Sequence, residues 1–128
     1  MGPEMIRRLI DSVILIDHLN GLPKANHYIA RLNPAETAIS VITRAEILVG
    51  VEQMEETLVK AFLNQYMLLG IDKGIADQAA SLRREHGWKL PDAFQAALCY
   101  THSIKLVTRD KKDFDPKKHH FVEIPYQP

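Results

Sequence analysis

Four acids, Asp11, Glu46, Asp92 and Asp110, are the residues of this chain whose types and spacing point most directly to chemistry. Three of them fall where an apolar, strand-like run gives way to a helix or a turn. Asp11 follows Ile10, Glu46 comes just after a run ending near Ile42, and Asp110 comes after Thr108. Asp92 follows Pro91, a residue suited to the first turn of a helix. In an open parallel sheet the carboxyl ends of the strands share one edge, so acids distant in sequence can converge there. Helix N-termini favour their ionised forms. Gathered together, such acids repel one another, and at least one takes up a proton unless a cation relieves the conflict. An all-oxygen carboxylate set suits Mg²⁺, with Mn²⁺ as a substitute. A cation of that kind binds a phosphodiester, acidifies a bound water and stabilises the leaving oxygen.

Each acid also has a plain structural reading. Thr43-Arg44-Ala45-Glu46 matches a capping box, in which the Glu only closes a helix start. Asp92 could serve the dipole of its helix, and Asp11 could be a simple cap. Asp110 and Asp113 lie in a charged turn, where acids are usually just solvated.

The elements that must position these residues alternate between short apolar strands and helices, the pattern of a parallel sheet covered by helices. Strands are expected near Ile6 to Ile10, Thr37 to Ile42, Met67 to Ile71, Ile104 to Thr108 and Phe121 to Ile124. Helices are expected from Ser12 to Leu19, Lys24 to Leu32, Thr43 onward, Gln53 onward, Lys73 to Arg84, and Pro91 through Tyr100. Leu58, Phe62 and Tyr66, four apart, read as one apolar stripe. The first strand has a competitor: Val13 to Ile16 is more β-branched than Met5 to Ile10, and would put Asp17 rather than Asp11 at a strand end.

The chain has 128 residues, a length that fits a single domain over 1–128, and it is large enough to bury a core without disulfide or metal staples. Lys+Arg and Asp+Glu number 16 each, so net charge does not announce a nucleic-acid partner. The lone cysteine, Cys99, lies in an apolar run and reads as a core thiol. No apolar stretch approaches the roughly 20 residues needed to span a bilayer. The opening residues, Met1 to Arg8, lack the apolar region of a secretory leader, and a cytoplasmic location is expected. His119-His120 lacks companion ligands at metal-site spacing and reads as a surface loop. His18 and His27 read as solvent-facing helix residues. Ser12 has no nucleophile-elbow context. Lys111, Lys112, Lys117 and Lys118 form a basic cluster near Asp110 that either is solvated or guides a polyanion, and Arg109 is better placed to touch a phosphate.

Four blocks resemble the PIN-domain family, and in particular the VapC-type toxin ribonucleases. They are Leu9 to Leu19, Ile39 to Ile47, Leu90 to Ala97, and Leu106 to Phe114, in the family's order and spanning most of the chain. The resemblance implies an α/β, three-layer PIN-like fold with a mostly parallel central sheet of about five strands flanked by helices. It implies that Val13 to Ile16 is helical, so that Asp11, not Asp17, is the site acid. Carried over by position, Asp11 and Asp92 are the principal metal ligands, and Glu46 and Asp110 complete the cluster. Asp113 matches a position that carries the fourth acid in some relatives, and is secondary here. Ser12 stands where Thr is commoner, its hydroxyl able to orient Asp11. The implied activity is Mg²⁺-dependent hydrolysis of RNA, as the toxin of a VapBC-type pair. The implied partners are a VapB-like antitoxin that occludes the site and a second copy in a homodimer. The rival readings are an RNA-processing or DNA nuclease outside such a pair, and a non-catalytic binding module with the same fold.

Overall fold

A computed structural model describes residues 5–127. The first four residues, part of the segment that argued against a leader, lie outside them. The strands are β1 (Arg8–Ile10), β2 (Thr37–Ser40), β3 (Met67–Leu69), β4 (Lys105–Val107) and β5 (Val122–Glu123). The helices are α1 (Ser12–Leu19), α2 (Pro23–Ala30), α3 (Val41–Val49), α4 (Glu56–Leu63), α5 (Lys73–His86) and α6 (Leu90–His102). The five strands form one sheet in the order β3-β2-β1-β4-β5, and every pairing is parallel.

Strand alternation divides the interior into two cores. Leu9, Ala38 and Leu106 face α5 and α6, where they join Leu82, Leu98 and Phe114. Ile10, Ile39 and Val107 face the other way, among Ile14, Leu15, Ile47 and Leu63. The sheet is thus covered on both sides, as an all-parallel sheet must be. Val13 to Ile16 lies within α1, where Ile14 and Leu15 are fully buried. Packing against the sheet, not β-propensity, sets the conformation of that run.

Several boundaries differ from expectation. The second strand stops at Ser40, whose hydroxyl accepts from the Thr43 amide and caps α3. The helix therefore starts at Val41, two residues before Thr43. The expected stripe on α4 also divides: Leu58 is 75% exposed, while Val59, Leu63 and Tyr66 are buried. Within α4 the buried positions are Val59 and Leu63, one residue on from Leu58 and Phe62, while Tyr66, just past the helix, is buried as expected. Cys99 is buried in the core beside α5, and burial pushes its thiol pKa up. Among the described residues, no helix is long and apolar enough to cross a membrane.

Candidate metal centre

β1 is the central strand, and the chain moves outward from it in both directions, to β2 and to β4. The carboxyl ends of these strands meet α1, α3 and the turn after β4 at one edge. Asp11, Glu46, Asp92 and Asp110 line a single cavity there, of about 590 Å³. Arg109, Lys111 and Lys112 lie on its rim, and Gln127 closes part of the wall.

Asp11 ends the link from β1 and caps α1. Its Oδ1 accepts from the Ser12 amide at 2.8 Å, and its Oδ2 accepts from Thr108 Oγ1 at 2.8 Å. Gln95 Nε2 lies 3.5 Å from Oδ1 and donates to Thr43 Oγ1 at 3.0 Å. Desolvation raises the pKa of Asp11 and outweighs these donors, while Asp110 adds to the rise. Thr108 also accepts from the Asp110 amide at 3.2 Å, so one hydroxyl links two of the acids.

Glu46 sits in the second turn of α3, and the Ser40 cap leaves it no part in starting the helix. Burial raises its pKa, the Ser12 side chain lowers it by hydrogen bonding, and the Asp11 charge raises it again. Ser12 thus holds Asp11 through its amide, while its hydroxyl serves Glu46. Asp92 lies in the first turn of α6, a helix with no side-chain cap. Burial, together with the charges of Asp11, Asp110, Asp113 and Glu46, pushes its pKa up to about 6.

Asp113 belongs with these acids. Asp92, Asp110 and Asp113 each offer a carboxylate oxygen within 4.8 Å of the others. Among the described residues this is the group of three that could hold an ion. The Asp113 amide donates to Asp110 Oδ1 at 3.3 Å, and its carbonyl accepts from Trp88 Nε1 at 3.0 Å. The loop carrying both acids is therefore anchored to the core by a buried indole.

This donor set fits a hard divalent cation. Every candidate ligand is an oxygen, and both the burial and the neighbouring charges that raise the pKa of Asp92 are costs that a cation would offset. Gln95 Oε1 is buried and has no hydrogen-bond donor among the described residues. A buried acceptor of that kind beside the acids is suited to a water held by an ion.

The other candidates take structural places. Both oxygens of Asp17 are occupied by Arg109, at 2.7 and 3.1 Å, and Oδ2 also accepts from Tyr126 at 2.9 Å. His18 is not simply solvent-facing: its Nδ1 pairs with Asn26 at 2.7 Å and its ring lies 5.0 Å from that of Phe62. His27 is exposed. His119 and His120 lie in a surface loop as expected, and within it His119 packs against Trp88 and Phe121, at 5.2 and 5.7 Å. Thr43, Gln95 and Thr108 escaped the sequence reading. A polar Gln inside the run Ala93 to Ala97, facing the core, was the one available signal.

A family model described as "PIN domain" matches residues 8–118, and the chain belongs to the PIN-domain family. Ribonuclease VapC19 of Mycobacterium tuberculosis is 35% identical over 81 residues, which cover 62% of this chain and 65% of that protein. The match thus spans a little under two thirds of that relative's length. A solved chain from a toxin–antitoxin complex of Klebsiella pneumoniae is 34% identical, with a TM-score of 0.87 over 94% of this chain and 99% of that one. FitAcB of Neisseria gonorrhoeae, at 22% identity and a TM-score of 0.73 over 92% of this chain and 97% of that one, shares the fold.

Proposed function

We propose that this chain, acting as one domain, is a divalent-metal-dependent endoribonuclease and the toxin of a toxin–antitoxin pair. The observation that carries the reading is the acidic cavity: Asp11, Glu46, Asp92 and Asp110 line it, and burial, with the neighbouring charges adding to it, pushes the Asp92 pKa up to about 6. An acid cluster this strained is poorly explained by helix capping, because Glu46 and Asp92 make no capping bond. The names of the similar proteins, a ribonuclease and a toxin–antitoxin complex, support the same assignment.

Asp11, Asp92, Asp110 and Glu46 would hold the cation, Mg²⁺ or Mn²⁺ in its place, with Asp113 beside Asp110. When bound, the ion supplies Lewis-acid stabilisation of the phosphoryl oxygens and a water of lowered pKa. The chain's own residues set the geometry. Ser12, Thr108 and Gln95 orient Asp11, so its two oxygens keep fixed directions. Water would attack phosphorus in line with the leaving oxygen, with the Glu46 carboxylate, whose pKa burial raises, placed to accept its proton. The rim of Arg109, Lys111 and Lys112 meets the RNA backbone.

A second cavity, of about 350 Å³, lies between α1, α3 and α4 and is lined by Ile16, Leu19, Ile47, Val51 and Val59 together with Glu46. Because Glu46 borders both cavities, an antitoxin segment seated in this apolar groove can end at the acids and block them. Val49, Met54 and Leu58, exposed at 89, 83 and 75%, provide apolar surface for a second copy in a homodimer.

Cleavage of single-stranded RNA by the wild type in Mg²⁺, its loss in EDTA, and a fall of at least about 100-fold in Asp11→Asn are the expected results. Equal cleavage by both proteins, or indifference to EDTA, would sink the mechanism.

A further inference from the structure

Arg109 stands between Thr108, which is bonded to Asp11, and Asp110. Arg109 is one of the residues lining the acidic cavity, yet its side chain is not loose. Nε and Nη2 form a fork with the two oxygens of Asp17, from the last turns of α1. The Tyr126 hydroxyl donates to the same carboxylate from the C-terminal segment. That segment is tied down again where Lys24 Nζ donates to the Gln127 carbonyl at 2.8 Å, and Gln127 itself lines the cavity. An arginine needed only to join α1 to β4 has no reason to border the acids.

The fork uses one edge of the guanidinium and leaves Nη1 outside the pair. Lys111 and Lys112 are exposed and must be ordered when they bind a polyanion, whereas Arg109 is already fixed. A cavity ringed by carboxylates repels RNA, so a cation held at its rim in one orientation has the greatest effect on binding. We propose that Asp17 and Tyr126 clasp Arg109 at the cavity rim so that its guanidinium binds a backbone phosphate next to the scissile bond of RNA. The inference rests on the nuclease reading for its substrate. Arg109 is then a substrate-binding residue, and Asp17 and Tyr126 are positioning residues.

The test uses the full chain and a short, labelled single-stranded RNA of mixed sequence. Binding is measured in Ca²⁺ over a range of salt, and cleavage in Mg²⁺. Arg109→Gln is expected to weaken binding about tenfold and to reduce the slope of log K against log salt by about 0.7. Arg109→Lys recovers the slope but not the affinity, because an ammonium cannot form the fork. Asp17→Asn and Tyr126→Phe retain Arg109, and raise KM about fivefold and about twofold, with smaller effects on kcat. Their Mn²⁺ affinity stays within about twofold of wild type, since neither touches the acids. Wild-type binding and slope in Arg109→Gln overturn the proposal. So does an Asp17→Asn protein that melts earlier but keeps its KM, with Tyr126→Phe likewise unchanged. Wild type that binds RNA without cleaving it removes the nuclease reading and leaves the clasp standing on the binding data. Wild type that binds no RNA overturns both.

Discussion

Thr108 donates its hydroxyl proton to Asp11 Oδ2 across 2.8 Å and so joins the ends of the two central strands, β4 and β1. Thr108 Oγ1 in turn accepts from the Asp110 amide. A single buried hydroxyl therefore sets the positions of two acids that lie far apart in the sequence.

Thr108→Val keeps the shape and removes the donor. Asp11 then has less to hold its ionised form against burial, so a cation must displace a proton at higher pH. Mn²⁺ affinity near neutral pH is expected to fall about tenfold, with Thr108→Ser close to wild type. Isothermal titration of the three proteins decides the matter, and equal affinities would remove Thr108 from the site.

Asp92 gives a prediction about pH. An acid whose folded pKa lies above its unfolded value binds more protons folded than unfolded in between, so its contribution to stability falls as pH rises through that window. For Asp92 the window runs from the usual 3.8 to about 6. Without metal, Asp92→Asn should therefore gain in melting temperature relative to wild type, by a few degrees, as pH rises from 4 to 7. Added Mn²⁺ should close the gap, because only wild type retains the full ligand set. A difference that does not vary with pH would show that the crowding of charge at Asp92 is slight.

The start of α3 is testable by two substitutions. Ser40→Ala removes the cap and should cost about 1 kcal/mol, a loss of roughly 3–5 °C in melting temperature. Were Thr43 the cap, it would be Thr43→Ala that acted through the helix start. Instead Thr43→Ala removes the acceptor of Gln95, and its principal effect should fall on metal binding.

The four lysines of the last turn should separate into two pairs. Lys111 and Lys112 line the acidic cavity, while Lys117 and Lys118 belong to the turn beyond Asp115. Replacing the first pair with Ala should lower the salt slope of RNA binding by about 0.7 per lysine, with little change from the second pair. Equal slopes for both double variants would mean that the cavity rim has no special part in binding.

A parallel sheet of about five strands covered by helices, though not the order of its strands, was legible in the sequence, because alternation of short apolar runs with helices leaves few other architectures. So was the convergence of the acids on one sheet edge. What stayed hidden was set by tertiary packing. Val13 to Ile16 has the composition of a strand; the family resemblance already implied the helix that the structure shows, and burial against the sheet is the physical reason for it. Thr43-Arg44-Ala45-Glu46 fits a capping box, but Ser40 starts the helix sooner, a displacement of three residues that spacing alone could not reveal. By position alone Asp113 is secondary to Asp110, yet the structure groups both with Asp92, and the Trp88 bond to the Asp113 carbonyl anchors their loop. Thr108, Thr43 and Gln95 form their network across elements distant in the chain, and no local pattern marks such a network.

The central position of β1 has a consequence for how the acidic cavity assembles during synthesis. The first acid emerges at residue 11 and the last two at 110 and 113, and β4, which carries the final pair to the others, docks directly against β1. A growing chain that has reached His102 owns Asp11, Glu46 and Asp92 but has neither the Thr108 bond nor the closing wall at Gln127. The four-acid cavity therefore cannot assemble on a growing chain until β4 and the turn after it have been made and have docked on β1.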